Sequence, residues 1–352
     1  SKSYARFGTS VVVLQDQSRI DVAMARMEYY PHPGALPKVE GGSIEKDLSR
    51  RDFTVNSMAI KLNGQRAFCL IDFFNGEMDL KAGLIRVLHD QSFKEDPCRI
   101  FRAIRFEQRF KFCVEDRTRA FIKSTIESNL INQLSGARLM NEIKLILKEP
   151  EPVKCVDRMR ELSLFQFFAP DISSNDSHWL IIKKIESVLA WAKMVPIPKK
   201  PDIWLVYFYG LFVATKDAAF EQVIERLCLP VKISKRIRSD REHFFKAKHS
   251  LNEGRELKPS EIYNIFSELS SEAVILLLAA CSSEMVARYA ALYFNQYYTS
   301  AKIKLTGDDL IEMGMEPGPV FDDIFKALRD ARVNGQVASR DEEVVLVESQ
   351  FL

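Results

Sequence analysis

The chain of 352 residues carries a formal net charge of +2 at pH 7, and 47% of its residues are hydrophobic. This length exceeds one ordinary domain and predicts about two to four structural units, while no apolar run reaches the roughly 20 residues that span a membrane. Six scattered cysteines without a Cys-x-x-Cys pair argue against a zinc or redox centre and favour a reducing compartment. We therefore expect a cytoplasmic protein, since the first residues also lack the apolar segment of a secretion signal.

Alternating apolar residues and frequent turn residues predict short strands in the first quarter of the chain. A stretch rich in Pro and Gly predicts a loop, and an Asn-Gly pair is a signal for a type I′ turn. In chain order, the predicted elements are a β-hairpin over residues 7–25, a loop over 28–42, a helix over 51–60, a hairpin turning at Asn63-Gly64 and a strand over 84–88.

The pattern changes after residue 95, where apolar residues recur at helical spacing to the end of the chain. Pro97 suits the first turn of a helix, because the N–H that proline lacks is not needed there. The predicted fold class is therefore α+β, with a small unit of β-hairpins and a helix followed by a long all-α region.

The segment from Arg50 to Asn56 concentrates charged and polar groups that could bind a nucleotide. Asp52 and Asn56 would share one face of a helix, where they could hold a ribose hydroxyl. Arg51 could contact phosphate in a bidentate manner. A structural alternative stays open, in which Asp52 caps a helix and the arginines are solvated.

A second polar segment begins at Glu95 and places Asp96, Arg99 and Arg102 at spacings of three residues. A carboxylate beside a guanidinium offers an acceptor next to fixed donors, which matches the amino group and ring nitrogen that C and A present. U and G carry an oxygen in place of that amino group and fit poorly. Here too a structural alternative stays open, with Asp96 as a helix cap paired to Arg99.

Two further features allow both a functional and a structural interpretation. Asp21 is a lone carboxylate between apolar strand residues, which suits either a ligand site or an exposed strand aspartate. The basic segment 232–248 predicts either a solvated helix face or a surface that contacts RNA phosphates. Its candidate RNA-binding residues are Lys235, Arg236, Arg238 and Arg241.

The segment from Ser49 to Ile60 resembles the ribose-binding motif of the class II nucleotidyltransferases, and the segment from Glu95 to Phe106 resembles their base-reading motif. This family contains the tRNA CCA-adding enzymes, their CC-adding and A-adding relatives, and bacterial poly(A) polymerases. The resemblance implies Mg²⁺-dependent transfer of CMP or AMP from CTP or ATP to the 3′ end of tRNA. It also implies residue roles: Arg51, Asp52, Asn56 and Arg102 bind ribose and phosphates, Asp96 and Arg99 read the base, and Asp21 assists the metal-binding acids.

The segment Leu134–Arg138, followed by Glu142, resembles the last neck motif of this family. We expect it to brace the base-reading helix. The same resemblance divides the chain into four parts, which are a head at residues 1–92, a neck at 93–170, an RNA-binding body at 171–300 and a tail at 301–352.

The first catalytic motif of the family, an Asp-x-Asp pair that binds the metals, occurs nowhere in the 352 residues. We therefore expect a truncated nucleotidyltransferase palm with an incomplete two-metal site. The complete protein would be a nucleotidyltransferase, and this chain alone would be inactive. The alternatives are a bacterial poly(A) polymerase and a non-catalytic tRNA-binding fragment. The motifs do not distinguish CCA, CC, A and poly(A) addition.

Overall fold

The computed structural model of the protein describes residues 2–4, 8–174, 177–252 and 255–352. Residue contacts divide the chain into two compact units. The first comprises Ser1–Ser173 and Glu221–Leu229, and the second comprises Ser174–Phe220 and Pro230–Leu352. The boundary at residue 173 lies close to the predicted end of the neck, whereas the finer division into four parts stays a prediction.

Short strands form small sheets in the first unit. They are β1 (Lys2–Tyr4), β2 (Thr9–Val13), β3 (Arg19–Ala23), β4 (Arg26–Tyr29), β5 (Lys38–Gly41), β6 (Met58–Ile60), β7 (Leu70–Asp72), β8 (Leu84–Ile85) and β9 (Cys113–Val114). The first three form an antiparallel sheet in chain order, β4 pairs with β5 and β6 with β7 in antiparallel fashion, and β8 pairs with β9 in parallel. The hairpin predicted over residues 7–25 is confirmed, with Val11 opposite Asp21 across the ladder.

Helices complete the first unit. They are α1 (Ile44–Ser49), α2 (Gly76–Ala82), α3 (Ser92–Glu95), α4 (Cys98–Phe110), α5 (Asp116–Glu127), α6 (Gly136–Ile146) and α7 (Pro152–Glu161). Short 3-10 turns lie at Thr54–Asn56, Leu130–Gln133, Leu164–Phe167 and Pro170–Ser174. One side of α4 is buried, with Ile100, Phe101 and Ile104 almost inaccessible to solvent. Because α6 and α7 both pack against it, α4 is central to this unit.

The helix predicted over residues 51–60 is wrong. Thr54–Asn56 form a single 3-10 turn, and the chain then enters β6, which pairs with β7. Main-chain hydrogen bonds across this hairpin satisfy the N–H and C=O groups that a helix would otherwise pair internally. The hairpin itself is confirmed, although its strands lie further from Asn63-Gly64 than a two-residue turn requires.

The segment 28–42 is only partly a loop, because β4 and β5 pair at its two ends. The connection between these strands is fixed at Gly34, whose N–H donates to the main-chain oxygen of Glu95 at 3.1 Å. Gly34 has a positive φ of +71°, and a Cβ there would lie 3.1 Å from the main-chain oxygen of Gln133. The connection is therefore seated against the region that precedes α4.

The second unit is built from helices. They are α8 (Ser177–Ala192), α9 (Ile203–Phe212), α10 (Asp217–Arg226, which ends in the first unit), α11 (Val231–Leu251), α12 (Pro259–Ser267), α13 (Ser271–Cys281), α14 (Glu284–Leu292), α15 (Tyr298–Ser300, after a π-helical turn at Tyr293–Tyr297), α16 (Gly307–Glu312), α17 (Val320–Val333) and α18 (Arg340–Phe351). In its core, α13 packs against α8, α9 and α11. The last three helices enclose an apolar cluster of Leu305, Leu310, Ile324, Leu328 and Val347. The predicted α+β class is confirmed.

Within the described residues, no single helix is both long and apolar enough to cross a membrane. Taken together, α12 and α13 reach the required length and composition, and this pair is bent by 115°. Most of α13 is buried in the core of the second unit.

Candidate functional site

An open cleft of about 530 Å³ lies in the first unit, between the start of α4 and the segment that follows α1. Its lining includes four arginines and two aspartates. The lining residues are Tyr30, Arg50, Arg51, Asp52, Asn56, Asp96, Arg99, Arg102 and Phe106. The structure therefore brings the two predicted motifs together in one place.

The carboxylate of Asp52 accepts three hydrogen bonds, forms an ion pair with Arg102 and is only 8% exposed. Its Oδ1 accepts from the main-chain N–H of Phe53 at 3.0 Å and from Nδ2 of Asn56 at 2.9 Å. Its Oδ2 lies 2.7 Å from Nε and 2.6 Å from Nη2 of Arg102. The expected contact between Asp52 and Asn56 is present, but a 3-10 turn produces it. The alternative in which Asp52 caps an α-helix is wrong, because no α-helix begins there.

Arg102, which the resemblance directs toward the triphosphate, is bound to Asp52 in this structure. Its guanidinium also lies 5.6 Å from the ring centroid of Phe106. Burial acts to lower the pKa of Arg102, but the carboxylate of Asp52 raises it above its ordinary value. Arg102 is therefore a firmly charged cation at the rim of the cleft.

A second carboxylate, Asp47 on α1, holds the paired arginines of the first motif. It accepts from Nη2 of Arg50 at 2.9 Å, from Nη2 of Arg51 at 3.2 Å and from the main-chain N–H of Arg26 at 3.1 Å. Burial acts to raise the pKa of Asp47, but these hydrogen bonds lower it below its ordinary value of 3.8. Sequence reasoning overlooked Asp47, although its helical spacing of three and four residues from the two arginines was a usable signal.

The side chain of Arg99 is buried and incompletely paired. It is 4% exposed, and its Nη2 donates to the main-chain oxygen of Arg50 at 2.9 Å. Its Nη1 is buried and has no hydrogen-bond partner in the part of the chain that the structure describes. Since buried polar nitrogens are nearly always paired, this nitrogen is a donor that a bound molecule could satisfy.

Asp96 is fixed from two sides. Its Oδ1 accepts from the main-chain N–H of Cys98 at 3.0 Å, so Asp96 does bond to the start of α4. The same oxygen accepts from Nη2 of Arg138 at 2.7 Å. Nη1 of Arg138 also donates to the main-chain oxygens of Gly34 and Ala35, at 2.8 and 3.3 Å. The expectation that Arg138 braces this helix is therefore met by a direct contact, whereas the role of Asp96 toward a base stays a prediction.

Buried acids anchor the face of α4 that turns away from the cleft. Glu149 accepts from Nε of Arg105 at 2.8 Å and from Nη2 of Arg109 at 2.6 Å. Glu142, the last residue of the neck motif, is 7% exposed, and burial raises its pKa. Its Oε2 lies 3.9 Å from Nη1 of Arg105. Both acids support the helix that carries Arg99 and Arg102.

Asp21 is exposed on β3 and is not among the residues that line the cleft. Among the described residues, no three His, Cys, Asp or Glu side chains are grouped so that they could hold a metal ion. The described side chains therefore do not provide the set of ligands that a two-metal site requires. The metal-binding and catalytic roles of Asp21 stay predictions.

The basic segment of α11 is not a uniform surface. Arg236 pairs with the buried Glu272 and lies 3.6 Å from Asp240, and Arg241 pairs with Asp217. Arg241 also donates to the main-chain oxygen of Thr215 at 2.6 Å, and its side chain is only 15% exposed. Two of the four predicted RNA-binding residues are thus engaged in intramolecular ion pairs. Lys235 and Arg238 both have exposed side chains.

Two family models match separate parts of the chain. The model described as "Poly A polymerase head domain" matches residues 1–86. The model described as "Probable RNA and SrmB- binding site of polymerase A" matches residues 111–175. The second motif, with Asp96, Arg99 and Arg102, lies between the two matches.

Named relatives are similar over nearly the whole chain. An A-adding tRNA nucleotidyltransferase of Geobacter sulfurreducens is 38% identical over 347 residues, which are 97% of this chain and 39% of that relative. The solved complex of a CCA-adding enzyme with ATP has a TM-score of 0.78 and 30% identity, covering 98% of this chain and 78% of that one. The Thermotoga maritima CCA-adding enzyme complexed with tRNA has a TM-score of 0.76 and 29% identity, covering 99% and 80%. The chain thus spans well under half the length of the Geobacter relative.

Proposed function

Since this chain belongs to the class II nucleotidyltransferase family, we propose that its gene product transfers CMP or AMP from CTP or ATP to the 3′ end of tRNA. The relatives support this, because one is an A-adding tRNA nucleotidyltransferase and the solved CCA-adding enzymes include complexes with ATP and with tRNA. The observation that carries the proposal is the cleft in which Asp52, Asn56 and Arg102 meet Asp96 and Arg99.

We assign recognition of the base to Asp96 and Arg99. Arg138 and the start of α4 hold Oδ1 of Asp96, so the carboxylate has a fixed orientation. Nη1 of Arg99, which lines the same cleft, supplies a buried donor. An acceptor next to a donor suits the amino group and ring nitrogen of C or A, whereas U and G present an oxygen to the carboxylate. This arrangement favours CTP and ATP as substrates.

We assign the sugar and phosphates to the first motif and Arg102. Asn56 donates its Nδ2 to the carboxylate of Asp52, which leaves its Oδ1 as an acceptor for a hydroxyl. Arg51 has a side chain that is 42% exposed, compared with 20% for Arg50. Arg51 is therefore the better placed of the two to meet phosphate.

The family is in general metal-dependent, and we propose Mg²⁺ as the cofactor of the gene product. Mg²⁺ bound to the gene product would supply positive charge for activating the attacking hydroxyl and for stabilising the departing pyrophosphate. The resemblance gives Asp21 an assisting role at this metal site. Among the described residues, no further acids are grouped with it to complete the site. Because no Asp-x-Asp pair occurs in the 352 residues, we propose that this chain alone does not polymerise.

We propose that tRNA contacts the exposed cations of α11, among them Lys232 and Lys235, through its phosphates. Arg236 and Arg241 contribute less to RNA binding in this proposal, because their charges are already neutralised by acids of the same unit. As tRNA is the acceptor, the proposed location is the cytoplasm.

A transfer assay on the whole gene product tests the proposal. The protein is incubated with Mg²⁺, labelled CTP or ATP, and tRNAs that end before the CCA sequence, after its first C or after both. Nucleotides should be added at the 3′ end, and the product should stop once the terminus is complete. Long tails of A would instead support the poly(A) polymerase alternative. No addition on any of these tRNAs would support the tRNA-binding alternative and refute transferase activity.

A further inference from the structure

Both oxygens of Asp52 are already engaged in this structure. A carboxylate accepts about four hydrogen bonds, two at each oxygen. Oδ1 accepts from Phe53 and Asn56, whereas Oδ2 accepts from Nε of Arg102 and also lies 2.6 Å from Nη2 of the same guanidinium. The guanidinium of Arg102 therefore occupies the space at Oδ2, and a ribose hydroxyl can donate to this oxygen only after Arg102 has moved.

Arg102 is the donor that can leave most easily. The N–H of Phe53 belongs to the residue next to Asp52, so the backbone fixes it. Asn56 sits in the same short turn. Arg102 comes from α4, its side chain is 36% exposed, and it faces the cleft. It also has a long side chain that can rotate without moving its helix.

An anionic ligand can compete with Asp52 for the guanidinium of Arg102. The other accessible arginines of the cleft, Arg50 and Arg51, both share Asp47 as a partner. Arg102 is the cleft-lining arginine that is held by Asp52 itself. A triphosphate is a stronger attractant for a guanidinium than a single carboxylate, because it carries several charges and can bind the planar group in a bidentate manner.

We propose that binding of a triphosphate draws Arg102 away from Asp52, and that Oδ2 of Asp52 accepts a ribose hydroxyl only then. This inference rests on the proposed nucleotide-binding function of the cleft. It makes the choice of ribose over deoxyribose dependent on the phosphates. Coupling of this kind is reciprocal, so the ribose hydroxyl also strengthens the binding of the triphosphate.

NMR titration of this chain with nucleosides and nucleoside triphosphates tests the coupling, because binding does not require catalysis. In the wild-type chain, ATP should bind at least about fivefold more tightly than 2′-deoxy-ATP, the lower end of typical coupling between sites. The preference for adenosine over 2′-deoxyadenosine should be smaller than that for ATP over 2′-deoxy-ATP, because Arg102 still occupies Oδ2 of Asp52. The Nε–H signal of Arg102 should shift on addition of ATP and stay in place on addition of adenosine.

The Arg102→Met variant removes the competing donor. Adenosine should then bind about fivefold more tightly than 2′-deoxyadenosine, while affinity for ATP falls. Arg109→Met is the matched control, since Arg109 lies on the same helix, has a side chain that is 41% exposed and pairs with the buried Glu149 outside the cleft. That control should bind all four ligands as the wild type does.

Several results would overturn the inference. Equal preference for ribose in the nucleoside and the triphosphate, or an Nε–H signal of Arg102 that ignores ATP, would show that the ion pair does not gate Asp52. These wild-type measurements decide the matter even where Arg102→Met fails to fold. Binding of ATP without any sugar preference would refute this inference alone, whereas no binding of ATP or CTP would refute the proposed function as well.

Discussion

Nη2 of Arg138 lies 2.7 Å from Oδ1 of Asp96, although the two residues are 42 positions apart. The same guanidinium reaches the main-chain oxygens of Gly34 and Ala35 through Nη1. The side chain of Arg138, near the start of α6, therefore links the segment between β4 and β5 to the start of α4. The orientation of the proposed base-reading carboxylate depends on this contact.

Replacing Arg138 by Ala should reduce both stability and base selectivity. The change removes one of the two donors to Oδ1 of Asp96 and leaves the oxygen of Gly34 without the Arg138 donor, and such losses cost about 1–3 kcal/mol. Urea unfolding measures the first effect, and binding of ATP against GTP measures the second. Arg119→Ala is the control, because Arg119 is 55% exposed on α5 and lies outside the cleft. An Arg138→Ala chain with unchanged selectivity would show that Arg138 only supports the fold.

Replacing Asp96 separates base reading from helix capping. Ser can accept the N–H of Cys98 as a cap, but it lacks the carboxylate that would face a base. Under base reading, Asp96→Ser and Asp96→Ala both lose about 1–3 kcal/mol of preference for ATP and CTP over GTP and UTP. Under capping alone, Asp96→Ala loses about 0.5–2 kcal/mol of stability while Asp96→Ser loses little and stays selective. Thermal unfolding and nucleotide binding on the same two variants distinguish these outcomes.

The exposed lysines and the paired arginines of α11 should behave differently toward tRNA. Removing Lys232 and Lys235 together, which are both exposed, should weaken tRNA binding and reduce the slope of log affinity against log salt by roughly 0.7–0.9 for each cation lost. Removing Arg236 and Arg241 should chiefly lower stability, because Glu272 is 2% exposed and loses the guanidinium that pairs with it. Affinity measured by filter binding over a range of KCl, with unfolding curves for both pairs, checks this. Equal slopes for both pairs would contradict the division.

Asp47 should contribute to acid sensitivity. Burial acts to raise its pKa, but the hydrogen bonds from Arg50, Arg26 and Arg51 lower it. Its ionised form therefore stabilises the folded chain above its ordinary pKa of 3.8, and this stabilisation is lost as the pH falls from there through the lower pKa of the folded state.

The Asp47→Asn variant tests that contribution. Its unfolding free energy at neutral pH should be lower than that of the wild type, and the difference should shrink at the acid end of the range. Urea unfolding at a series of pH values measures this. Asp116→Asn, at an aspartate whose side chain is 95% exposed, is the control and should follow the wild type. A difference that stays constant with pH would contradict the assignment to Asp47.

Six of the nine residues that line the cleft could be predicted as site residues from sequence, because each motif is local. Asp52 and Asn56 lie within one turn, and Asp96, Arg99 and Arg102 lie within two, so their spacing alone places them near one another. The conformation of the first motif could not be predicted in this way. Its sequence pattern predicted a helix, whereas its last residues form β6 and pair with β7. This pairing depends on residues further along the chain.

Ion pairs between residues far apart in the chain likewise could not be predicted from the sequence. In the sequence, the type and spacing of the four cations of α11 do not show which of them form ion pairs. In the structure, Arg236 forms an ion pair with Glu272 of α13, and Arg241 forms one with Asp217 of α10. The pairing of Arg102 with Asp52 also joins two distant motifs. Which arginines remain available to phosphate is decided by packing between elements, and no local pattern records that.

Affinity of this chain for the four ribonucleoside triphosphates tests the central claim most directly, because binding in the cleft does not require the chemistry of transfer. Dissociation constants should be measured by isothermal titration under one set of conditions. The account predicts that ATP and CTP bind with a preference of about 1–3 kcal/mol over GTP and UTP, and that Arg99→Ala removes this preference. Equal affinity for all four nucleotides, or a preference that survives in Arg99→Ala, would contradict the claim that Asp96 and Arg99 select the nucleotide.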